Sequence, residues 1–193
     1  RCRLCRVSGV RIMHDLADVT LCAGDVLQGW TPRRVGRRLL TLAECRSTND
    51  AAFEAAAQGS ADGLVVLADH QSAGRGRQGR PWVSPRAASV LCRVAVETAD
   101  DNSETSGRRN ADIDGPCDLS TPQPFDGSGP ALGGRLTLAG VVAACEAIRE
   151  ATEIAPSIKW PNDLRVGGRK LSGVLVESRP AARPGVRVWV IGI

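Results

Sequence analysis

The chain has 193 residues, 42% of them hydrophobic, which suits one ordinary domain with a real core rather than two large ones. Its 25 Lys and Arg exceed its 21 Asp and Glu only enough for a net charge of +4, too mild an excess to announce nucleic acid or an anionic membrane. No apolar run approaches the roughly 20 residues of a bilayer span, and nothing at the start resembles a signal peptide, so the expectation is a soluble cytoplasmic protein, with an organelle left open.

Residues 1 to 38 lack sustained periodicity and form a segment of unclear structure, without a complete helix-turn-helix. The seven cysteines are scattered, which argues for free thiols rather than a disulfide framework. Cys2, Cys5, His14 and Cys22 make a poor metal set, because a single C-x-x-C lacks a second close pair. The first residue, Arg1, is not a methionine, and the last stretch, VRVWVIGI, is an apolar strand without a following turn. Both ends are expected to be cuts in a longer protein.

From Leu39 the pattern sharpens. LLTLAEC is strand-like, and STNDAAFEAAAQG combines Ser47 or Thr48 as N-cap, an alanine-rich body and Gly59 after the end, which predicts a helix over 49–58. GLVVLAD and SVLCRVAVE read as strands. Between them lies AGRGRQGRPW, residues 73–82. Residues 98–134 are rich in Asp, Ser, Gly and Pro and are expected to be a mobile insertion. LTLAGVVAACEAIREAT places Leu138, Val141, Val142, Cys145 and Ile148 on one helical face. SIKWPND, LRV, a Gly167-Gly168 turn and KLSGVLVES read as strands with a hairpin, and VRVWVIGI closes the set. The whole is an α+β domain with a mixed β-sheet and packed helices.

The loop spells G-x-G-x-x-G at Gly74, Gly76 and Gly79, but it is no dinucleotide fingerprint. That motif needs a strand directly before it and a helix directly after it, and Pro81 and Pro85 block the helix. A loop of glycines and arginines instead lets backbone approach a ligand while forked donors meet phosphate oxygens. A solvated arginine turn, or a nonspecific RNA contact, explains the loop alone equally well.

Four separated blocks decide the matter: ECRSTND at 44–50, the arginine loop, KWPNDL at 159–164 and RKLSGVLVE at 169–177. Their order and spacing resemble the catalytic domain of biotin–protein ligases over residues 39–193, with the 98–134 insertion as one departure and an incomplete C-terminal end as another. The resemblance implies the class II synthetase-like fold of that family. It further implies ATP-dependent formation of biotinyl-5′-AMP, with Mg²⁺, and transfer of biotin to a lysine of a carboxylase's biotin carboxyl carrier domain. A lipoate–protein ligase or octanoyl/lipoyl transferase shares the fold and is the alternative. A nucleic-acid module is a third reading, weakened by the scarcity of aromatics. Homodimerisation stays open.

By resemblance, Ser47, Thr48, Asn49 and Gln71 bind biotin, and Arg75, Gly76 and Arg77 fold over biotin and adenylate. Lys170 reaches the carboxylate and α-phosphate, with Gly173 beside it, so that Lys170, Arg75 and Arg77 are the catalytic set. Arg77, Arg80, Trp82, Lys159, Asn162 and Asp163 take the nucleotide. Helix capping remains the plain alternative for Ser47 and Thr48, core packing for Trp82 and an exposed hairpin position for Lys170. Strand alternation sets Lys170, Ser172 and Val174 on one face, with Gly173 leaving room on the other. It also points Lys159 away from Ile158 and Trp160, which are expected to pack. Asp163 would orient Mg²⁺ or a lysine, or simply close an Asx-turn.

Overall fold

The computed structural model describes residues 3–7, 10–14, 31–86, 88–100 and 130–193, with side chains from residue 31 onward except at 87 and 130–131. Most of the 98–134 insertion and the Cys2 and Cys22 positions therefore lie outside the described residues. At the insertion's edges a strand runs on to Ala99 and a helix starts at Pro130.

Fourteen strands and helices are described in chain order. They are β1 (Arg3–Val7), β2 (Val10–His14), β3 (Arg38–Leu42), α1 (Thr48–Ala57), β4 (Leu64–Ala68), β5 (Gly74–Arg75), β6 (Pro81–Trp82), β7 (Leu91–Ala99), α2 (Pro130–Ala151), β8 (Ser157–Lys159), β9 (Asp163–Val166), β10 (Arg169–Gly173), β11 (Leu175–Pro180) and β12 (Val186–Gly192). The main sheet has seven strands in the order β1-β2-β3-β4-β7-β12-β11. Only β2–β3 and β3–β4 run parallel, so the sheet is mixed. Residues 3–14 pair into this same sheet, and the sequence boundary at 38/39 falls inside β3.

Alternation along the strands separates the two faces. One face carries Leu64, Val66, Ala95, Val188 and Val190, covered by Ala52, Phe53 and Ala56 of α1. Burying Phe53 there contributes on the order of 1.5–3 kcal/mol. The other face carries Leu39, Val65 and Leu67 with Cys92 and Val94 beside them. Helix α2 packs on the sheet end through Val141 against Val174 and Ile191, and through Ala144 and Cys145 against Leu164.

The helical face read from sequence needs correction. Leu138 and Val142 are exposed. Helix α2 approaches so closely at Gly140 that a Cβ there would stand 2.9 Å from the Ile191 side chain, which narrows the buried stripe to Gly140, Val141, Ala144 and Cys145. Strand β8 also departs from expectation, because Ile158 and Trp160 are both exposed. It lies at the edge of a separate three-stranded sheet, β10-β9-β8, whose apolar anchor is Leu164 on the central strand.

Gly63 ties the β3 approach to the core. It has φ +74°, and a Cβ would fall 2.2 Å from the Arg34 carbonyl oxygen. Gly63→Ala is expected to destabilise the fold by about 2 kcal/mol or more, from the left-handed backbone and the clash together. Urea unfolding at equilibrium measures this, and a loss below about 0.5 kcal/mol would contradict the geometry.

Candidate active site

The arginine loop is a small built unit. Gly74 and Arg75 pair with Trp82 and Pro81, and a single 3₁₀ turn at Arg77–Gly79 forms the tip. Gly74 is required by closeness, since a Cβ would lie 2.6 Å from the Trp82 carbonyl oxygen. At the tip Gln78 takes φ 59°, a left-handed conformation uncommon outside glycine. The unit begins and ends on short strands, so no helix N-terminus follows the glycines and the dinucleotide arrangement is absent from this loop.

Beside it opens a cleft of about 1260 Å³, with Arg75, Gly76, Arg77, Arg80 and Trp82 on one wall. Asn162, Asp163, Lys170 and Gly173 stand across from them. Val65, Leu67 and Val94 of the sheet, with Ala144 and Ile148 of α2, give it an apolar floor. Arg77 Nη1 donates to Asn162 Oδ1 at 3.1 Å and so bridges the two walls. The Asn162 amide in turn donates to the Val174 carbonyl at 3.1 Å.

Lys170 Nζ donates to Asp163 Oδ1 at 2.7 Å and lies 5.3 Å from the centre of the Trp82 ring. This differs from simple alternation. A bulge between Lys170 and Ser172 breaks the β10 register, and the lysine side chain folds back over Gly173. A Cβ at Gly173 would stand 2.8 Å from Nζ, so the glycine makes room for Lys170 itself rather than on the opposite face. Among the open roles for Asp163, the one present is orientation of a lysine.

The α1 N-terminus holds the other group. Ser47 is the N-cap residue, yet its side chain makes no capping hydrogen bond. Thr48 donates through both its backbone N–H and its hydroxyl to Gln71 Oε1, each at 2.8 Å. Capping by either hydroxyl is thus corrected. The Gln71 Nε2 group is buried without a partner among the described residues, a donor whose desolvation is uncompensated until an acceptor reaches it. The Asn49 amide is spent within the protein: its Oδ1 accepts from Arg93 Nε, and its Nδ2 donates to Glu177 Oε2.

Sequence reasoning gave no role to Asp50, Arg93, Glu177 or Arg179. Asp50 accepts both arms of Arg75, at 2.8 and 2.9 Å, and Arg179 Nη2 at 2.9 Å. The Arg75 fork holds the Asp50 carboxyl below the usual carboxylate range, against the opposing effect of burial. Arg75 therefore arrives already paired, whereas Arg77 and Arg80 carry no ion pair among the described residues. Arg93 is buried, and that burial brings its pKa down to about 10. Lys159 is exposed and stands away from the cleft lining, so the structure does not bring it to the other site residues. Ser47, Thr48, Asn49 and Gln71 lie behind the loop rather than on the lining.

Among the described residues, the mixed sheet and the two helices packed on it make an α+β fold with a cation-lined cleft. A solved biotin protein ligase from Aquifex aeolicus, in complex with biotin and ATP, matches with a TM-score of 0.50 at 27% identity, over 80% of this chain and 51% of that one. The bifunctional ligase/repressor BirA of Bacillus subtilis (strain 168) is 31% identical over 173 residues, 90% of this chain and 44% of its own. The biotin–[acetyl-CoA-carboxylase] ligase of Mycobacterium tuberculosis (strain ATCC 25618 / H37Rv) is 30% identical over 168 residues, 85% of this chain and 50% of its own. Residues 127–193 match the model of the Biotin/lipoate A/B protein ligase family. That match takes in the C-terminal third of the chain, and the chain spans about half the length of the curated relatives it matches.

Cys45 sits behind the same loop, and burial pushes its thiol up to about 11. Only the thiolate alkylates readily. Iodoacetamide at pH 8 is expected to label native Cys45 at least about tenfold more slowly than unfolded protein, the gap closing as the pH rises toward 11. Peptide mass spectrometry reads the rates, and equal labelling at pH 8 would contradict the burial.

Proposed function

We propose that this chain forms the catalytic part of an ATP-dependent biotin–protein ligase. The observation that carries the reading is the convergence of Arg77, Arg80 and Lys170 on one apolar-floored cleft, with a buried amide donor on Gln71 behind the loop. The relatives add the substrate: the mycobacterial one, matched over 85% of this chain, is named a biotin–[acetyl-CoA-carboxylase] ligase, and the Aquifex aeolicus structure holds biotin and ATP, which favours biotin over lipoate.

In the first step a biotin carboxylate oxygen attacks the α-phosphorus of ATP, the bond to the β-phosphate breaks, and pyrophosphate leaves. Two anions must meet, so the step needs cations placed in advance. Lys170 is the candidate for the carboxylate and α-phosphate, with Asp163 and the Trp82 ring fixing its direction. Arg77 and Arg80 at the loop tip are the candidates for the phosphates, and Asn162 holds Arg77 across the cleft until they arrive. Gln71 Nε2 suits the ureido carbonyl of biotin, while Thr48 keeps the glutamine in place from behind. Asn49 serves this reading as a support for its neighbours, since its amide is already bonded on both sides. In the second step a lysine amine of the acceptor attacks the biotinyl carbonyl and AMP leaves. A loop closed over the mixed anhydride keeps water from taking the amine's place.

Mg²⁺ is a poorer fit to these residues. Among the described residues no three His, Cys, Asp or Glu side chains gather as a metal set, and Asp163 already holds Lys170. We therefore route no step through a protein-held metal. The acceptor we propose is a biotin carboxyl carrier domain of a carboxylase, in keeping with the name of the mycobacterial relative. The compartment we propose is the cytoplasm; no helix among the described residues is long and apolar enough to cross a membrane.

Biotin-dependent exchange of pyrophosphate into ATP tests the first step, and mass spectrometry of a carrier domain tests the second. Lys170→Ala is expected to lower exchange by about a hundredfold or more while the circular dichroism spectrum is retained. Exchange at the parent rate would remove Lys170 from the mechanism. Thermal stabilisation by lipoate and not by biotin would overturn the choice of substrate.

A further inference from the structure

The base of the arginine loop is held far more firmly than a cation awaiting a ligand needs to be. Asp50 accepts a two-pronged bond from Arg75 and a third from Arg179. Arg179 also lies 4.1 Å from the centre of the Phe53 ring, which roots the cluster in helix α1. Asp50 itself stands in the first turn of α1, where a carboxylate meets the favourable end of the helix dipole. Glu177 stands 3.8 Å from Arg75 Nη2 and accepts from Asn49. A continuous polar chain thus runs Arg93, Asn49, Glu177, Arg75, Asp50, Arg179. Two residues beyond Arg75 the picture reverses, because the Arg77 side chain makes one hydrogen bond among the described residues, at 3.1 Å, and Gln78 and Gly79 hold positive φ at an exposed tip.

We infer that Asp50 is a positioning residue that clamps the root of the loop to α1 through Arg75 and leaves the Arg77–Arg80 tip free to close on an anionic ligand. A fork bond fixes direction as well as distance, which a lysine at position 75 would not do. With the root already ordered, closure must order only the tip, so less conformational entropy is lost at each binding event. The catalytic consequence rests on the ligase reading above; the clamp itself does not.

The test uses Asp50→Asn in the intact protein, with native trypsin cleavage after Arg77, at the Arg77–Gln78 bond of the loop tip, read by mass spectrometry. Cleavage is expected to rise about fivefold or more as the loop opens locally. Arg179→Gln takes away one donor and spares the fork, and should stay within about twofold of the parent. Arg75→Lys keeps the charge but loses the fork; it should show the same rise as Asp50→Asn, which decides the matter even if that variant folds poorly. In pyrophosphate exchange Asp50→Asn should raise the KM for ATP about tenfold, with kcat within about threefold, the sign of costlier loop ordering. Unchanged cleavage, an equal rise in Arg179→Gln, or a lower KM would each overturn the clamp, the last by making Asp50 a mere quencher of Arg75. A parent protein without biotin-dependent exchange would sink the ligase reading, while the cleavage comparison would still decide the clamp.

Discussion

Cationic side chains collected around one cleft repel each other across distances shorter than the roughly 8 Å over which salt screens them. A site for an anionic reaction must nonetheless hold them there before the anions come. This chain meets the constraint differently at each position. Arg75 is given a full carboxylate partner in Asp50, and Lys170 is given Asp163. Among the described residues the Arg77 side chain has only the neutral amide of Asn162. The residual positive field is therefore greatest at the loop tip and smallest at its root.

The neutralised root depends in turn on the interior. Arg93 points into the α1 side of the sheet, where a guanidinium loses most of its hydration. Its cost is offset by Asn49 and by the carbonyls of Cys92 and Ile193, at 2.7 and 2.8 Å. The fit is close on the neighbouring strand too: Gly192 pairs with Arg93, and a Cβ there would come within 2.6 Å of Nε. Although burial lowers its pKa to about 10, Arg93 stays charged at neutral pH, and through Asn49 it fixes the orientation of the amide that Glu177 accepts. Some of the other described arginines are occupied in the same way, as in Arg34 with Asp62 and Arg86 with Glu44.

These features divide cleanly by the range of the information they need. Helix α1, the type of turn at Gly167 and Gly168, and the strands β4, β7 and β12 were legible because each depends on neighbours a few residues away. The loop and its opposing lysine were singled out by resemblance to a known family, because local pattern alone left a solvated turn and an exposed hairpin lysine open. Asp50, Glu177 and Arg93 were not, because their meaning lies in contacts such as Asn49 to Glu177, 128 residues apart. Alternation misplaced the surroundings of Lys170 since one inserted residue, Leu171, resets the pleat. It misplaced Ile158 and Trp160 because period-two reasoning assumes that a strand has a core on one side, and β8 is an edge strand without one.

The position of Trp82 joins the two halves of the site. It belongs to β6, whose partner is Gly74 at the root, and not to the 3₁₀ turn at the tip. Its ring therefore keeps its place beside Lys170 whatever the tip does, and the contact orients the ammonium through the ring's electron-rich face. Asp163 pulls the same ammonium from the β9 side. A charge held between a carboxylate and an aromatic face has one direction left open, toward the cleft. The bulge at Leu171 and the missing side chain at Gly173 are what let Lys170 reach that position, so a defect in the β10 ladder is the structural condition for placing its charge.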